Sequence, residues 1–563
     1  MSTGKFLLPA ALLTAIAIPA MAQGDVCAGS RNLRLINGKI HTLDAHNSIV
    51  NEVTIQEGRF AYLGPAKGHA KDACTQVIDL HGRTAIPGLI DNHNHIVLFG
   101  LRPGHDIRIE SATSIAEAVA LLAGRAKTTP AKEWVTTVGD WSPLQFTENR
   151  LPTLKELDAA LPDHPVFIAP SSGGAVTNSL GKAFFDSKNI PVSVDGFIAR
   201  ASGFVAPQDP LFRAVQALIA LQTPQDRIRG TQYAQEYMNS LGVTTNVDMG
   251  MFALPGTPDM QDSAVSTNIE SANPWTAYDP FVALHREGKL TSRLRLYYIT
   301  QDTRPDNPVL RDRLLNSFSD FGDDMFKVSG IGEFASPWFG LNWAGGERPT
   351  HFQSALEMIA RHGWAFSQHT GNPTEYEFTV STFEKVNQEV PIANLHWSVA
   401  HVGSIDMPLL QRLKAIGAGV AVHPAQYLRA GNNGSTTGAG PPLRTILASG
   451  IHAGAGSDGA LVTVLDPWMM ISYMVTGKNA AGKMINDGQQ ISRQDALRLY
   501  TVENGWFTHE EDKMGSIELG KFGDLVVLSG DYFDSAKVPD DAIRRLKSVL
   551  TVVDGRVTYN DLH

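Results

Sequence analysis

The sequence predicts an α/β protein: a TIM-type (β/α)8 barrel with a small β-sandwich built from both termini and a subdomain inserted after strand one. Apolar strands alternate with helical patterns through the middle of the chain, which is typical of a parallel sheet of βα units. Eight such strands can be counted, the number that closes a TIM barrel. Both ends of the chain are instead rich in short strands and turns, so we expect them to share a separate β layer.

The 563 residues are enough for one large domain with additions, or for two to three domains. A net charge of -10 argues against nucleic acid or an anionic membrane as the main partner. We therefore expect a small-molecule substrate, with a homo-oligomer left open.

The first residues are typical of a secretory signal. Lys5 supplies a positive charge, residues 6–18 form a short apolar core, and Ala20-Met21-Ala22 resembles a cleavage site. We expect residues 1–22 to be removed and the protein to be periplasmic or secreted. The alternative is an N-terminal helix of the mature domain.

The chain has two cysteines, Cys27 and Cys74. In an oxidising compartment such a pair is a plausible disulfide. Two free buried thiols are the alternative, because sequence does not give the distance between the two Cα atoms.

The predicted sandwich consists of residues 23–86 and 513–563. Residues 33–42 form two alternating runs around Asn37-Gly38, a pattern that predicts a β-hairpin. Residues 53–64 repeat it, and residues 549–559 contain an Asp-Gly turn.

The barrel is predicted to span residues 87–512. Its first strand ends at His95, and a subdomain of about residues 100–205 follows, because the gap before the second strand is too long for one helix. The remaining seven strands are expected at residues 242–248, 294–300, 325–329, 364–369, 397–401, 419–423 and 452–458.

His93 and His95 end the first barrel strand. Residues i and i+2 of a strand share a face, so the two imidazoles can bind one metal ion, and Asp91 on the same face could orient one of them. Alone, this H-x-H pattern also fits two ordinary surface or core histidines.

The later strand ends favour the metal site. Active sites of such barrels lie at the carboxyl ends of the strands, and there the sequence places Lys327, His369, His401 and Asp458. Chance could put one histidine at that edge, but several at successive strand ends indicate a metal centre.

Lys327 needs a separate explanation, because a lysine cation repels metal. A neutral amine can add carbon dioxide and become a carbamate, which has two oxygens to bridge two metals. The alternative is an ordinary ion pair of Lys327 with Asp323 or Asp324.

Two metals, with zinc as the default, would activate a water for hydrolysis. Asp458 suits the roles of ligand and base, because a carboxylate can take the proton and pass it to a leaving nitrogen. Asp458 and His401 are the candidate catalytic residues, and the expected reaction is hydrolysis of an amide-like or ester-like carbonyl.

The chain resembles the metal-dependent amidohydrolases, in the branch that includes N-substituted formamide deformylase. The resemblance is carried by residues 87–95, by Gly454-Ala455-Gly456-Ser457-Asp458, by residues 514–528 and by two runs in the insertion, residues 150–153 and Asn178-Ser179. It implies His93 and His95 on a first metal, carboxylated Lys327 as bridge, His369 and His401 on a second, and Asp458 as base.

Two departures from the branch pattern leave the implied ligands in place, and the second would shift specificity if the histidine of the branch contacts substrate. Ile331-Gly332 stands where the branch usually has Asp-Gly, and Ser172-Gly173-Gly174 stands where it usually has Gly-His.

Several aromatic and imidazole side chains are candidates for the substrate pocket. Loops after barrel strands commonly carry such contacts, and the candidates are Trp141, Trp338, Trp343, His423 and Tyr427. The alternative is that these side chains pack the subdomain against the barrel.

The sequence thus predicts a metal-dependent hydrolase that cleaves a C–N bond, in an amide or N-acyl group of a small, partly apolar or aromatic compound. A lactonase or esterase, a metal-assisted decarboxylase and a binding protein without turnover remain alternatives.

Overall fold

A computed structural model describes Cys27 and residues 29–65, 73–200, 209–250, 277–300, 306–336, 348–429, 440–460 and 463–562. The predicted signal segment, Trp338 and Trp343 lie outside these residues. No helix in the described ranges combines the length and apolar character needed to cross a bilayer.

Seven strands precede the barrel and divide between two sheets. They are β1 (Leu33–Ile36), β2 (Lys39–His41), β3 (Ile49–Val50), β4 (Glu52–Gln56), β5 (Arg59–Gly64), β6 (Gln76–Asp79) and β7 (Thr84–Pro87). One sheet has the order β5-β4-β1-β6, and β2, β3 and β7 belong to the other.

The hairpin predicted around Asn37-Gly38 is wrong. β1 pairs with β4 and β6, whereas β2 pairs with β3 and β7. The Asn-Gly turn therefore carries the chain from one layer to the other, and Leu80 packs so closely that a Cβ on Gly38 would lie 2.7 Å from its Cδ1. The hairpin predicted within residues 53–64 is confirmed as the antiparallel pair β4–β5.

The first barrel strand, β8 (Leu89–Asn94), is followed by the insertion. Its sheet contains β9 (His105–Asp106), β10 (Val135–Val138), β11 (Val166–Ala169), β12 (Ala175–Thr177) and β13 (Phe197–Ile198). Two apolar clusters fill the insertion, one around Trp141 and Leu157 and one around Phe167 and Phe185. The insertion thus has cores of its own.

The other barrel strands are β14 (Val243–Asp248), β15 (Arg293–Tyr298), β17 (Phe326–Glu333), β18 (Ala365–His369), β19 (Ser398–Ala400), β20 (Gly419–Val422) and β21 (His452–Ala455), with β16 (Phe321–Gly322) as a short antiparallel addition to β17. The eight main strands are parallel and follow chain order. The predicted barrel is confirmed.

Strands one and eight meet through a few specific hydrogen bonds. The Asp458 backbone N–H donates to the His93 carbonyl at 2.7 Å. The Asn504 amide donates to the carbonyls of Ile90 at 2.6 Å and Ala455 at 2.8 Å. These bonds bring the two ends of the sheet, and the residues that follow them, together.

Fourteen α-helices accompany the strands in the described ranges. They are α1 (Ile96–Gly100), α2 (Ile115–Ala126), α3 (Leu154–Ala160), α4 (Ser179–Ser187), α5 (Pro210–Ile219), α6 (Pro224–Leu241), α7 (Asp279–Arg286), α8 (Pro308–Asn316), α9 (Arg348–Arg361), α10 (Pro373–Glu389), α11 (Met407–Ala415), α12 (Leu443–Ser449), α13 (Pro467–Thr476) and α14 (Arg493–Leu499). Single 3-10 turns lie at Pro143–Gln145, Ala425–Leu428, Val502–Thr508 and Asp540–Arg545.

The chain ends with β22 (Leu525–Leu528), β23 (Ser548–Val553) and β24 (Arg556–Asn560). They extend the second N-terminal sheet in the order β24-β23-β22-β7-β2-β3, so strands from both ends of the chain share one sheet. A common apolar cluster, including Leu35, Val53, Val527 and Leu550, packs between the layers.

The predicted bond between Cys27 and Cys74 is confirmed. Their Cα atoms lie 5.0 Å apart and the two sulfurs are joined. The bond closes a loop across 47 residues of sequence at the N-terminal edge of the sandwich.

Candidate metal centre

The carboxyl ends of six barrel strands place seven polar side chains around one point. Each lies in the last two residues of its strand or in the first few residues after it, where the chain leaves the sheet. They are His93 and His95 after strand one, Glu333 after strand four, His369 after strand five, His401 after strand six, His423 after strand seven and Asp458 after strand eight.

The Glu333 carboxylate lies at the middle of this group. Its Oε2 is 2.8 Å from Nδ1 of His369 and 2.9 Å from Nε2 of His401. On the other side, Nε2 of His93 lies 3.5 Å from Oε2, and Nε2 of His95 lies 3.6 Å from Oε1. One carboxylate therefore faces two pairs of imidazoles.

Asp458 faces the first pair from the opposite side. Its Oδ1 lies 3.7 Å from Nε2 of His93 and 3.5 Å from Nε2 of His95, while Oδ2 lies 3.4 Å from Nδ1 of His401. These separations are too long for hydrogen bonds. They match the roughly 3.4 Å between two ligand atoms that each lie about 2.0–2.1 Å from a tetrahedral metal.

The imidazole of His93 gives an independent test of fit. It is fully buried, and neither ring nitrogen has a hydrogen-bond partner within the described ranges. Leaving a buried polar atom unpaired costs about 1–3 kcal/mol, so such atoms normally have a partner. A metal bound at Nε2 would provide one.

Among the described residues, three sets of ligand atoms lie close enough together to hold an ion. The first is His93, His95 and Glu333, and the second is Glu333, His369 and His401. They share Glu333, so its carboxylate can serve two ions at once. The third set, His93, His401 and His423, overlaps both.

The electrostatics favour a cation at this point. Burial alone would raise the pKa of Glu333, but the imidazoles of His369 and His401 outweigh it and hold the pKa well below its usual range. Burial likewise lowers the pKa of His95, yet Asp458 and Glu333 more than offset this and raise it to about 9. The two carboxylates thus create a negative potential within a ring of imidazoles.

His93 and His423 have the opposite shift. Burial lowers the pKa of both well below the usual value, and neighbouring imidazoles add to the effect. Both rings are therefore neutral at pH 7, the form in which histidine binds metals. His423 also lies with its Nδ1 3.1 Å from Nδ1 of His401.

The backbone at two of the strand ends is strained. His401 has φ 59° and Asp458 has φ 54°, in the left-handed region that residues other than glycine rarely adopt. Such strain is found where the surrounding structure fixes a functional side chain. Here it occurs at the two residues whose imidazole and carboxylate face each other in the cluster.

Asp91 supports the site, but not in the way the sequence suggests. Its carboxylate accepts hydrogen bonds from the backbone N–H of His93 at 3.2 Å, the N–H of Ser457 at 2.9 Å and the Ser457 hydroxyl at 2.6 Å. It therefore ties strand one to the loop that carries Asp458, and it bonds backbone and hydroxyl groups rather than an imidazole. For His95 the partner is the Gly250 carbonyl, 2.9 Å from Nδ1.

Gly456 allows the close approach of this loop to strand one. A Cβ there would lie 2.6 Å from the His93 backbone nitrogen and 2.9 Å from the His93 Cβ. We expect Gly456→Ala to push His93 away from Asp458, to lower the affinity for zinc and the turnover at least about tenfold, and to cost about 1–3 kcal/mol of stability.

Gly124→Ala is the matched control, because Gly124 lies in α2 with open space around the added methyl. It should keep zinc affinity and turnover while stabilising the helix by about 0.5–1 kcal/mol. Zinc titrations with thermal melts of both variants measure the two effects. Wild-type zinc affinity in Gly456→Ala would show that the contact with His93 is not needed.

Lys327 is not brought into this cluster. Its amine donates to Oε1 of Glu510, and Arg295 binds the other oxygen of the same carboxylate. The partner is thus neither Asp323 nor Asp324, and the amine is held as a buried ion pair. The prediction of Lys327 as a ligand is therefore wrong for this structure, and the carboxylate that lies among the imidazoles is that of Glu333.

The reason is the length of strand four. The sequence suggests that this strand ends near Ser329, but it runs from Phe326 to Glu333. Lys327 is its second residue, on the part that pairs with β16, and about 20 Å of extended chain separates it from Glu333. The sequence pattern does not reveal Glu333 as a site residue, because Ile331-Gly332 does not indicate that strand four continues as far as Glu333.

The predicted pocket residues are divided. His423 belongs to the metal cluster itself. Trp141 is fully buried in the insertion, with its ring centroid 5.6 Å from that of Phe146, so it packs the insertion core. Tyr427 is buried beside Arg544 and Asp466 in a separate cavity. Trp338 and Trp343 lie outside the described residues.

The chain is similar to known proteins over most of its length. A family model described as the amidohydrolase family matches residues 76–559. N-substituted formamide deformylase of Arthrobacter pascens is 23% identical over 94% of this chain and 98% of its own length. The putative amidohydrolase YtcJ of Bacillus subtilis is 23% identical over 86% of this chain and 90% of its own.

Solved structures share the fold. An uncharacterized metal-dependent hydrolase from Pyrococcus furiosus superposes with a TM-score of 0.58 at 22% identity, covering 89% of this chain and 100% of that one. The atrazine chlorohydrolase TrzN from Arthrobacter aurescens, complexed with zinc, gives a TM-score of 0.54 at 14% identity, covering 94% of this chain and 95% of that one.

Proposed function

The chain belongs to the amidohydrolase family, and on that premise we propose that it hydrolyses the C–N bond of an amide or N-acyl group in a small, partly apolar or aromatic compound. Membership makes it a metal-dependent hydrolase that acts on carbon–nitrogen bonds. The substrate class, the base and the bridging ligand are the parts that we propose.

The observation that carries the proposal is the position of Glu333 between two pairs of imidazoles. One ion would be held by His93, His95 and Glu333. A second would be held by Glu333, His369 and His401. The donor set of nitrogen and carboxylate oxygen suits zinc, and manganese or iron would also fit.

Bound divalent ions at these positions would lower the pKa of a water and polarise the substrate carbonyl. Asp458 lies beside both imidazoles of the first pair, so its carboxylate can take a proton from the attacking water. The same group can then return that proton to the leaving nitrogen. The strained backbone at Asp458 holds the carboxylate in place for both transfers.

The relatives narrow the substrate class. The similarity to N-substituted formamide deformylase extends over nearly all of both chains, which supports an N-acyl compound with a small acyl group as the first substrate to test. His93 and His95 are fully buried, so charges beside them interact more strongly than they would in bulk water.

A substrate screen tests this function. Zinc-loaded protein should release amine and acid in equal amounts from one or more N-formyl or N-acetyl amines with an aromatic or short alkyl substituent. Lactones, ureas and carbamates belong in the same screen. If the protein hydrolysed only lactones, it would be a lactonase and the proposal would be wrong. Release of carbon dioxide without amine would instead identify a decarboxylase.

We also infer that the protein is exported, supported by the bond between Cys27 and Cys74, since disulfides persist in oxidising compartments. Cell fractionation with mass analysis of the purified protein tests this. Protein found only in the cytoplasm, with both thiols free, would contradict it.

A further inference from the structure

One cavity is lined by residues other than those of the metal cluster. Its volume is about 500 Å³, within the range of small-molecule sites. Three parts of the molecule enclose it: the insertion near Glu110, the barrel near Tyr427 and Asp466, and the C-terminal segment at residues 544–547. None of the seven residues of the metal cluster lines it.

Two buried acids, Glu110 and Asp466, line this cavity. Glu110 and Asp466 are each 6% exposed. One oxygen of Glu110 accepts from the Tyr237 hydroxyl, and the other is buried without a hydrogen-bond partner in the described part of the chain. The nearby guanidinium of Arg108 is committed to other carboxylates.

Asp466 caps helix α13 by accepting from the Trp468 backbone N–H at 2.8 Å. Burial raises its pKa to about 8, and the charge on Glu110 contributes to that rise. Asp466 is therefore largely protonated at pH 7 without a ligand, and a cation bound beside it would favour the ionised carboxylate.

Three cations from one short segment also line the cavity. Arg544 donates to the Ala480 carbonyl at 3.3 Å, while Arg545 and Lys547 are exposed. Within the described ranges no acid lies within 4.0 Å of any of the three. Most other arginines described here have such a partner, as Arg293 does with Asp524 at 2.7 Å.

Acidic and basic side chains thus line one cavity, and in the described residues no ion pair within 4.0 Å joins the two acids to the three cations. Burying a carboxylate without a nearby cation costs free energy. A bound cation offsets that cost only when its geometry with the carboxylate is good. A ligand with an ammonium at one end and a carboxylate at the other could pair with the acids and with the cations at the same time.

We propose that this cavity binds a small zwitterion of the amino-acid class, with its ammonium group on Glu110 and Asp466 and its carboxylate on Arg544, Arg545 and Lys547. The side chains of Tyr237 and Tyr427 form the walls between these ends. The site joins three parts of the chain, so its occupancy also fixes the insertion against the sandwich.

Calorimetric titration at pH 7 with glycine, γ-aminobutyrate and ε-aminocaproate tests the proposal, because the series varies the spacing of the two charges. One member should bind saturably. Caproate and n-hexylamine, which each carry one of the charges, should bind at least about tenfold more weakly, since each loses one charge-assisted contact.

Three variants locate the site. Arg545→Gln and Lys547→Gln change exposed side chains that are not needed for folding, and each should weaken binding at least about tenfold, as should Glu110→Gln. Arg556→Gln, an exposed cation on β24 that does not line the cavity, should leave binding unchanged. Glu333→Gln should also leave it unchanged, which separates this site from chelation at the metal centre.

Two results would overturn the proposal. One is the absence of saturable binding for all three amino acids. The other is binding that survives both Arg545→Gln and Lys547→Gln, or that disappears in Glu333→Gln, because it would then reside at another site.

Discussion

Replacing Glu333 by glutamine should remove at least one of two bound zinc ions and lower turnover roughly 10²–10⁴-fold, because metal polarisation of a carbonyl is worth several kcal/mol and each 1.36 kcal/mol is a factor of ten. The amide is neutral and cannot present two anionic oxygens to the imidazoles around it. Zinc counted by elemental analysis after reconstitution and dialysis, together with turnover of the same samples, measures both effects.

Lys327→Met is the matched comparison. Lys327 is buried on the same strand and binds Glu510, which keeps its bond to Arg295 in the variant. We expect stability to fall by about 3 kcal/mol, since a buried ion pair loses one partner, while zinc content and turnover of the folded protein stay within about threefold of wild type. If Lys327→Met lost zinc and Glu333→Gln kept it, Lys327 and not Glu333 would be the bridging residue.

Replacing Asp458 by asparagine should lower turnover by about 10²–10⁴-fold, the usual contribution of general acid–base catalysis. At a saturating zinc concentration this variant should still bind zinc, because the imidazoles and Glu333 remain. The loss should be smallest for anilides with strongly electron-withdrawing substituents, since their leaving nitrogen needs a proton least. Turnover across a series of such anilides measures this dependence.

Asp406→Asn makes the same chemical change at the N-cap of α11, which also follows a barrel strand, and asparagine caps a helix as well as aspartate does. It should leave turnover unchanged for every anilide. An equal loss for all anilides in Asp458→Asn would mean that Asp458 does not protonate the leaving group.

The strand ends explain how much of the site the sequence could predict. Apolar strands that stop at a histidine are easy to locate, and His93, His95, His369, His401 and Asp458 all lie together in the structure. A parallel barrel brings its carboxyl ends to one edge whatever the exact register, so the convergence did not depend on the precise bounds of the strands.

Glu333 could not be predicted in this way, because its strand contains glycines and a shift of register. On β15, Leu296 pairs with Val328 of strand four, whereas the next residue, Tyr297, pairs with Gly330. Strand four then continues to Glu333. Sequence patterns locate the existence of a strand better than its end, and four residues decided which side chain reaches the mouth.

The sequence also could not determine which strands pair with each other or which side chains are buried. The Asn37-Gly38 turn was predicted correctly as a turn, but its two strands find partners in different sheets, and only tertiary contacts decide between partners. Trp141 follows a strand of the insertion and could equally have faced a pocket or a core. Its complete burial against Phe146 assigns it to the core.

Crystals of the zinc-loaded protein, measured on both sides of the zinc absorption edge, test the central claim most directly. The account predicts two anomalous peaks, each about 2.0–2.2 Å from an oxygen of Glu333, one beside His93 and His95 and the other beside His369 and His401. A peak bound to Lys327, or peaks with no contact to Glu333, would contradict it.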